Sequence, residues 1–193
     1  MGLQKRFSFL IVFLAAVLAA GLDRPGWGLA ESCIPGVGET FPPIALEAPK
    51  DPAMRAYLGI GDVQTFTVDQ VDADVVVVEI FSMYCPHCQR EAPTVNAFYE
   101  VAQKKNRPGK TLKILGVGAG NSPFEVDVFA KKYSVPFPLI PDGDYSVHKT
   151  LGQVRTPHFI AVKRGADGSR KVVYSQAGSF GSPEDFYRRL MEP

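Results

Sequence analysis

The sequence predicts an α/β domain with a mixed central β-sheet flanked by helices. Three observations predict it. The run Asp74-Val75-Val76-Val77-Val78-Glu79-Ile80-Phe81 carries four consecutive valines. A stretch this apolar suits the centre of a sheet covered on both faces. Buried-strand patterns then alternate with helix signals, which implies parallel strands joined by crossover helices. Near the end, Gly165-Ala166-Asp167-Gly168 separates two strand candidates and reads as a hairpin turn.

Each element follows in order. Lys5 and Arg6 precede Phe7 to Ala20, an almost purely apolar run. It is shorter than the roughly 20 residues a membrane span needs. Asp23, Arg24 and Pro25 end the run, and Gly28-Leu29-Ala30 offers small residues for cleavage. Residues 1–30 are read as a signal peptide, with an uncleaved anchor as the alternative. Either reading predicts a periplasmic or exported protein. Cys33 would lie near the mature N-terminus, where Glu31-Ser32 does not suit lipid attachment. Residues 31–193 read as one domain.

Gly36 to Leu46 is a Pro-rich stretch with a short strand candidate. Pro52 to Leu58 suits a helical turn, and Val63 to Val68 alternates like a strand. A helix is expected from about Pro86 to Lys105, with a kink at Pro93. Thr111 to Ala119 reads as a buried strand. Ser122-Pro123-Phe124-Glu125 supplies a cap, a proline at the first helical position and a glutamate at the third, so a helix runs on to about Tyr133. Pro136 to Pro141 is extended, and Tyr145 to Leu151 suits a short helix. Phe159 to Val162 and Lys171 to Ser175 form the hairpin, and Ser182-Pro183-Glu184-Asp185 starts a last helix to about Met191.

Bulk properties exclude several function classes. The net charge is +1 over 193 residues, and no basic run suggests nucleic acid as a partner. Three cysteines are too few for a disulfide scaffold. The informative feature is Cys85-Pro86-His87-Cys88, between the valine-rich strand and the first long helix. A zinc site needs four ligands, and the sequence has no second cysteine pair; His148 and His158 are not in ligand spacing. Covalent haem attachment needs a histidine directly after the second cysteine, and that residue is Gln89. No metal or cofactor is predicted. A structural disulfide stays open, although strained exposed disulfides are the labile ones.

The position of the pair favours redox chemistry. Cys85 would sit at a helix N-terminus, where N–H groups and the helix dipole stabilise a thiolate. Cys88, one turn further in, would resolve a mixed disulfide. His87 can donate a hydrogen bond or positive charge to Cys85, or stand exposed without a catalytic part. Glu79 should point into the core near Cys88 and relay its proton with a raised pKa. The alternative places Glu79 at a solvated sheet edge. Thr156-Pro157 opens a strand, where proline is allowed.

Val78-Glu79-Ile80-Phe81-Ser82-Met83-Tyr84-Cys85-Pro86-His87-Cys88 resembles the active-site strand and turn of the thioredoxin superfamily. Its Cys-Pro-His-Cys is similar to that of DsbA. Glu79 falls at the superfamily's buried acid, Pro93 at its helix-kinking proline, and Thr156-Pro157 at its cis-proline step. The resemblance implies a thioredoxin fold, a cis peptide at Pro157, and substrate contacts at Pro86, Thr156 and Pro157. The 68 residues between Cys88 and Pro157 suit the TlpA/ResA-like, peroxiredoxin-related branch, with its N-terminal extension and extra β-α element. Gly38 to Leu46 resembles the opening strand of that branch.

The implied activity is thiol–disulfide exchange with protein substrates, without a cofactor, served by a membrane or periplasmic redox partner. His87 pushes toward an oxidant, and the branch pushes toward a reductant. Ser82-Met83-Tyr84-Cys85 departs from a peroxiredoxin pattern. A thiol peroxidase and a redox-inert binding module of the same fold are the alternatives.

Overall fold

The computed structural model describes residues 34–191. The signal segment and Cys33 lie outside the described residues. The valine-rich run forms the centre of the sheet. Every residue of β3 (Val75–Phe81) is buried. It is flanked by β4 (Leu112–Ala119), in parallel, and by β6 (His158–Arg164), in antiparallel. β5 (Leu139–Asp142) pairs in parallel outside β4, and β7 (Arg170–Ala177) pairs antiparallel outside β6. The order is β5-β4-β3-β6-β7. The parallel crossovers and the closing hairpin agree with the sequence patterns.

Strand alternation sends the side chains of β3 into two cores. Val76, Val78 and Ile80 pack in the core that includes Leu46, Leu58, Val147 and Leu151. Val75 and Val77 meet Val95 and Phe98 of α2 (Pro86–Lys105) and Phe186 and Leu190 of α5 (Pro183–Met191). Phe180 and Phe186 stack at 4.4 Å between ring centroids, with Phe98 at 4.9 Å from Phe186. A fully buried side chain of this kind contributes about 2–3 kcal/mol. This aromatic cluster holds α2, and so the residues at its start, against the sheet.

The remaining helices begin where their caps dictate. α1 (Pro52–Leu58) starts at Asp51, whose carboxylate accepts the Ala53 N–H at 2.8 Å. In α3 (Pro123–Tyr133), Ser122 and Glu125 form a capping box, with the Ser122 N–H reaching Glu125 Oε2 at 2.7 Å. α4 is the short helix Ser146–Thr150. α2 runs as one helix through Pro93 to Lys105; the proline takes one N–H out of the ladder without ending it.

Two expectations are corrected. The strand expected over Val63–Val68 shrinks to β2 (Thr65–Phe66), which pairs with β1 (Leu46–Glu47) as a small antiparallel ribbon. A 3₁₀ turn at Val68–Gln70 replaces the rest, with the Gln70 side chain accepting the Thr67 N–H at 2.8 Å. The opening strand expected over Gly38–Leu46 is reduced to a bridge between Thr40 and Lys171. The N–H groups of Gly38 and Phe41 still reach the carbonyls of Val172 and Arg170, at 2.8 and 2.9 Å. Pro42 and Pro43 have no N–H to continue the ladder.

Candidate active site

β3 ends at Phe81, and the turn Ser82-Met83-Tyr84 carries the chain to Cys85 at the N-cap of α2. Pro86 takes the first helical position, where its missing N–H costs nothing. Four contacts fix the turn. The Cys85 N–H donates to the Ser82 carbonyl at 3.0 Å. The Met83 N–H donates to Oδ1 of Asn121, a fully buried residue, at 2.8 Å. Gln89 Nε2 donates to the Met83 carbonyl at 2.7 Å. The Tyr84 hydroxyl donates to Glu125.

The two thiols are free and sit in different environments. Cys85 is half-buried and unbridged, so the sulfur is available for chemistry. As a thiol it donates to the Thr156 carbonyl at 3.3 Å. Burial pushes the Cys85 thiol up. Hydrogen bonds from the Thr156 hydroxyl, the Cys88 N–H, the Cys88 thiol and the His87 N–H outweigh it and leave Cys85 below its ordinary value. Cys88 is fully buried. Burial pushes it well above the usual thiol range, with Cys85 and the charge of Glu79 adding to the rise.

Glu79 lies in the core at 4 % exposure, in the central strand, opposite Gly116 and Phe159. That removes the sheet-edge alternative. Burial pushes its carboxyl up to about 8, and the charge of Glu91 adds to the shift. Glu91 follows Cys88 by one helical turn and accepts from the Ser179 hydroxyl at 2.8 Å. The charge of Glu79 is thus felt at Cys88, and that of Glu91 at Glu79.

Thr156 and Pro157 meet the site at the start of β6, and their peptide bond is cis. Pro86 and His87 are exposed. The His87 ring turns to Arg90, whose Nη2 lies 2.9 Å from Nδ1. A guanidinium only donates, so Nδ1 is the acceptor. What His87 contributes to the Cys85 sulfur is its backbone N–H. His148 Nε2 lies 2.8 Å from the Val154 carbonyl, and His158 Nε2 lies 3.0 Å from Ser175 Oγ. Among the described residues no cluster of three or more His, Cys, Asp or Glu side chains is placed to hold a metal ion.

Glu91, Asn121 and Glu125 are among the residues of the site that the sequence expectations do not include. Glu91 had a readable signal, since i and i+3 share a helix face. Asn121 and Glu125 had none, because their partners Met83 and Tyr84 are remote in the chain.

The chain is similar to known thiol-disulfide oxidoreductases. The thiol-disulfide oxidoreductase ResA of Geobacillus thermodenitrificans is 26% identical over 152 residues, covering 77% of this chain and 76% of its own length. ResA of Geobacillus kaustophilus is 27% identical over 142 residues, covering 72% and 69%. The thioredoxin domain of a thiol-disulfide oxidoreductase from Bacteroides vulgatus superposes with a TM-score of 0.60 at 15% identity, over 80% of this chain and 98% of its own. A secreted Mycobacterium tuberculosis disulfide oxidoreductase homologous to E. coli DsbE gives 0.52 at 16%, over 76% and 93%. These solved structures share the fold. A family model described as Redoxin matches residues 37–189, and with its thioredoxin-like sheet, its N-terminal ribbon and its Cys85–Cys88 pair, this chain belongs to the Redoxin family.

Proposed function

We propose that this thiol–disulfide oxidoreductase acts outside the cytoplasm and exchanges disulfides with protein substrates through Cys85 and Cys88. The observation that carries the assignment of roles is the split between the thiols: Cys85 accessible and lowered, Cys88 buried and raised. The Cys85 thiolate attacks a substrate disulfide. A Cys85–substrate bond forms, the substrate bond breaks, and the first substrate thiolate leaves. Cys88 gives its proton to Glu79 and attacks Cys85. The Cys85–Cys88 bond forms, the second substrate thiolate leaves, and two electrons have passed to the substrate. The reverse sequence oxidises a substrate dithiol, and the reduction potential sets the direction. Thr156 and Pro157, beside the sulfur, hold the substrate backbone; Pro86 borders the same surface. His87 tunes the potential through the N–H it offers Cys85.

Export rests on the basic start and apolar run of residues 1–30, and on the secreted Mycobacterium relative. A membrane or periplasmic partner would recycle the pair. The experiment is a trap. Cys88→Ala should accumulate partners as mixed disulfides on Cys85. An identical profile from Cys85→Ala would overturn the assignment. Peroxide consumption that depends on Cys85 would favour a peroxidase instead.

A further inference from the structure

Three of the six exposed large apolar side chains among the described residues gather around one turn. Tyr84, Phe124 and Tyr145 are 65%, 75% and 46% exposed. Tyr145 meets the turn between β4 and α3, and Tyr84 and Phe124 meet the first turn of α3 that follows it. The Tyr84 hydroxyl is held by Glu125 in the first turn of α3. Phe124 precedes that glutamate. Tyr145 lies against Gly120: a Cβ there would come within 2.1 Å of its hydroxyl.

Two features mark this grouping as built. Tyr145 holds a left-handed backbone, φ 62°, which a bulky L-residue rarely adopts. Glu125 has both oxygens engaged. Oε2 takes the Ser122 N–H and hydroxyl, each at 2.7 Å, and Oε1 takes Tyr84. These bonds fix the Glu125 carboxylate, and with it the Tyr84 ring, in place.

Topology gives the surface its occupant. With strand order β5-β4-β3-β6-β7, Cys85 follows the end of β3. Thr156 and the start of β6 lie on one side of it, and the ends of β4 and β5, with the aromatic rim, lie on the other. The carboxyl ends of the parallel strands are where open α/β sheets bind ligands. Resting on the proposed exchange reaction, we infer that Tyr84, Phe124 and Tyr145 form a specificity rim. It selects polypeptide disulfides with an aromatic or long aliphatic side chain within about three residues of the reactive cysteine. The substrate lies across Cys85, with its backbone along Thr156 and the apolar side chain on the rim.

The test uses reduced full-length protein and disulfide-bridged peptides that differ only in the residue flanking the cysteine: Phe, Leu or Ser. The wild type should show kcat/KM about tenfold higher for the Phe and Leu peptides than for the Ser peptide, the factor expected for covering one aromatic side chain. Phe124→Ser and Tyr145→Ser should each draw that ratio toward 1. Phe124 is so exposed that its truncation leaves the core intact, so that variant alone decides if the other fails to fold. A flat preference in the wild type, or a ratio that survives Phe124→Ser, overturns the rim and leaves the oxidoreductase reading standing. No Cys85-dependent exchange with any peptide overturns both.

Discussion

Replacing Glu79 with Gln tests the buried acid through stability. Burial, with Glu91 adding, pushes the folded carboxyl up to about 8 from an ordinary value of 4.5. Between those values the folded protein keeps a proton that the unfolded chain has released. The contribution of this proton to stability is complete below the unfolded pKa and is lost as the pH rises from there through about 8. Integrated from pH 5 to pH 8, the loss from this one group is about 3 to 4 kcal/mol. For a domain of this size it corresponds to about 10 °C in melting temperature. Glu79→Gln keeps the shape and removes the titration. Thermal unfolding of the reduced proteins, in half-unit steps of pH at constant ionic strength, gives the difference between the two curves. Groups that titrate alike in both proteins cancel in that difference. The wild type should lose about 10 °C more than the variant between pH 5 and 8. Parallel curves would refute the reasoning, because they would mean a carboxylate already ionised and solvated in the fold.

Alkylation of the reduced protein by iodoacetamide should be half-maximal below the ordinary thiol value of about 8.5, with mass spectrometry placing the label on Cys85. Labelling of native Cys88 at a comparable rate would contradict its burial. Thr156→Val removes one hydroxyl donor from the Cys85 thiolate; a less stable thiolate makes a less stable reduced form. The reduction potential, measured by equilibration with glutathione, should move about 20 mV more negative, and an unchanged potential would remove Thr156 from the account. Asn121→Ala leaves the Met83 N–H without its acceptor. Denaturant unfolding should show a loss of about 1–3 kcal/mol, and no loss would mean that water replaces the amide.

The sheet and its helices were legible because local patterns and tertiary packing agree. Four valines in a row describe a strand covered on both faces, and Ser122 and Glu125 close the capping box their spacing suggests. The N-terminal stretch was less legible. Val63 to Val68 alternates, but a turn bonded through Gln70 competes with the strand, and a strand at a sheet margin has few partners to hold it. In the site, Cys85, Cys88 and Glu79 stand out because their chemistry contradicts their surroundings: thiols at a helix start and an acid in an apolar strand. His87 shows the limit. Its place in the motif left two readings open, a ring donating to Cys85 or an exposed ring; the ring is exposed and faces Arg90, and the backbone N–H faces Cys85. A side chain's rotamer depends on neighbours that a motif does not contain. The same holds for Asn121, whose partner Met83 lies 38 residues away.

Burial of Cys88 and burial of Glu79 are one feature with two consequences. The same low-polarity space that keeps the second thiol protonated also raises the carboxyl beside it. A thiol in that space reacts only if its proton has somewhere to go, and fully buried sulfur has no direct route to water. A carboxyl at its ordinary value would be too weak a base for such a thiol. One lifted to about 8 is a stronger base, and is still ionised often enough near neutral pH to accept. Cys85 needs no such help, because hydrogen bonds already favour its thiolate. The proposed reaction thus divides between a surface sulfur ready to attack and a core sulfur that waits for a proton acceptor. That order keeps Cys88 from reacting before a substrate is attached.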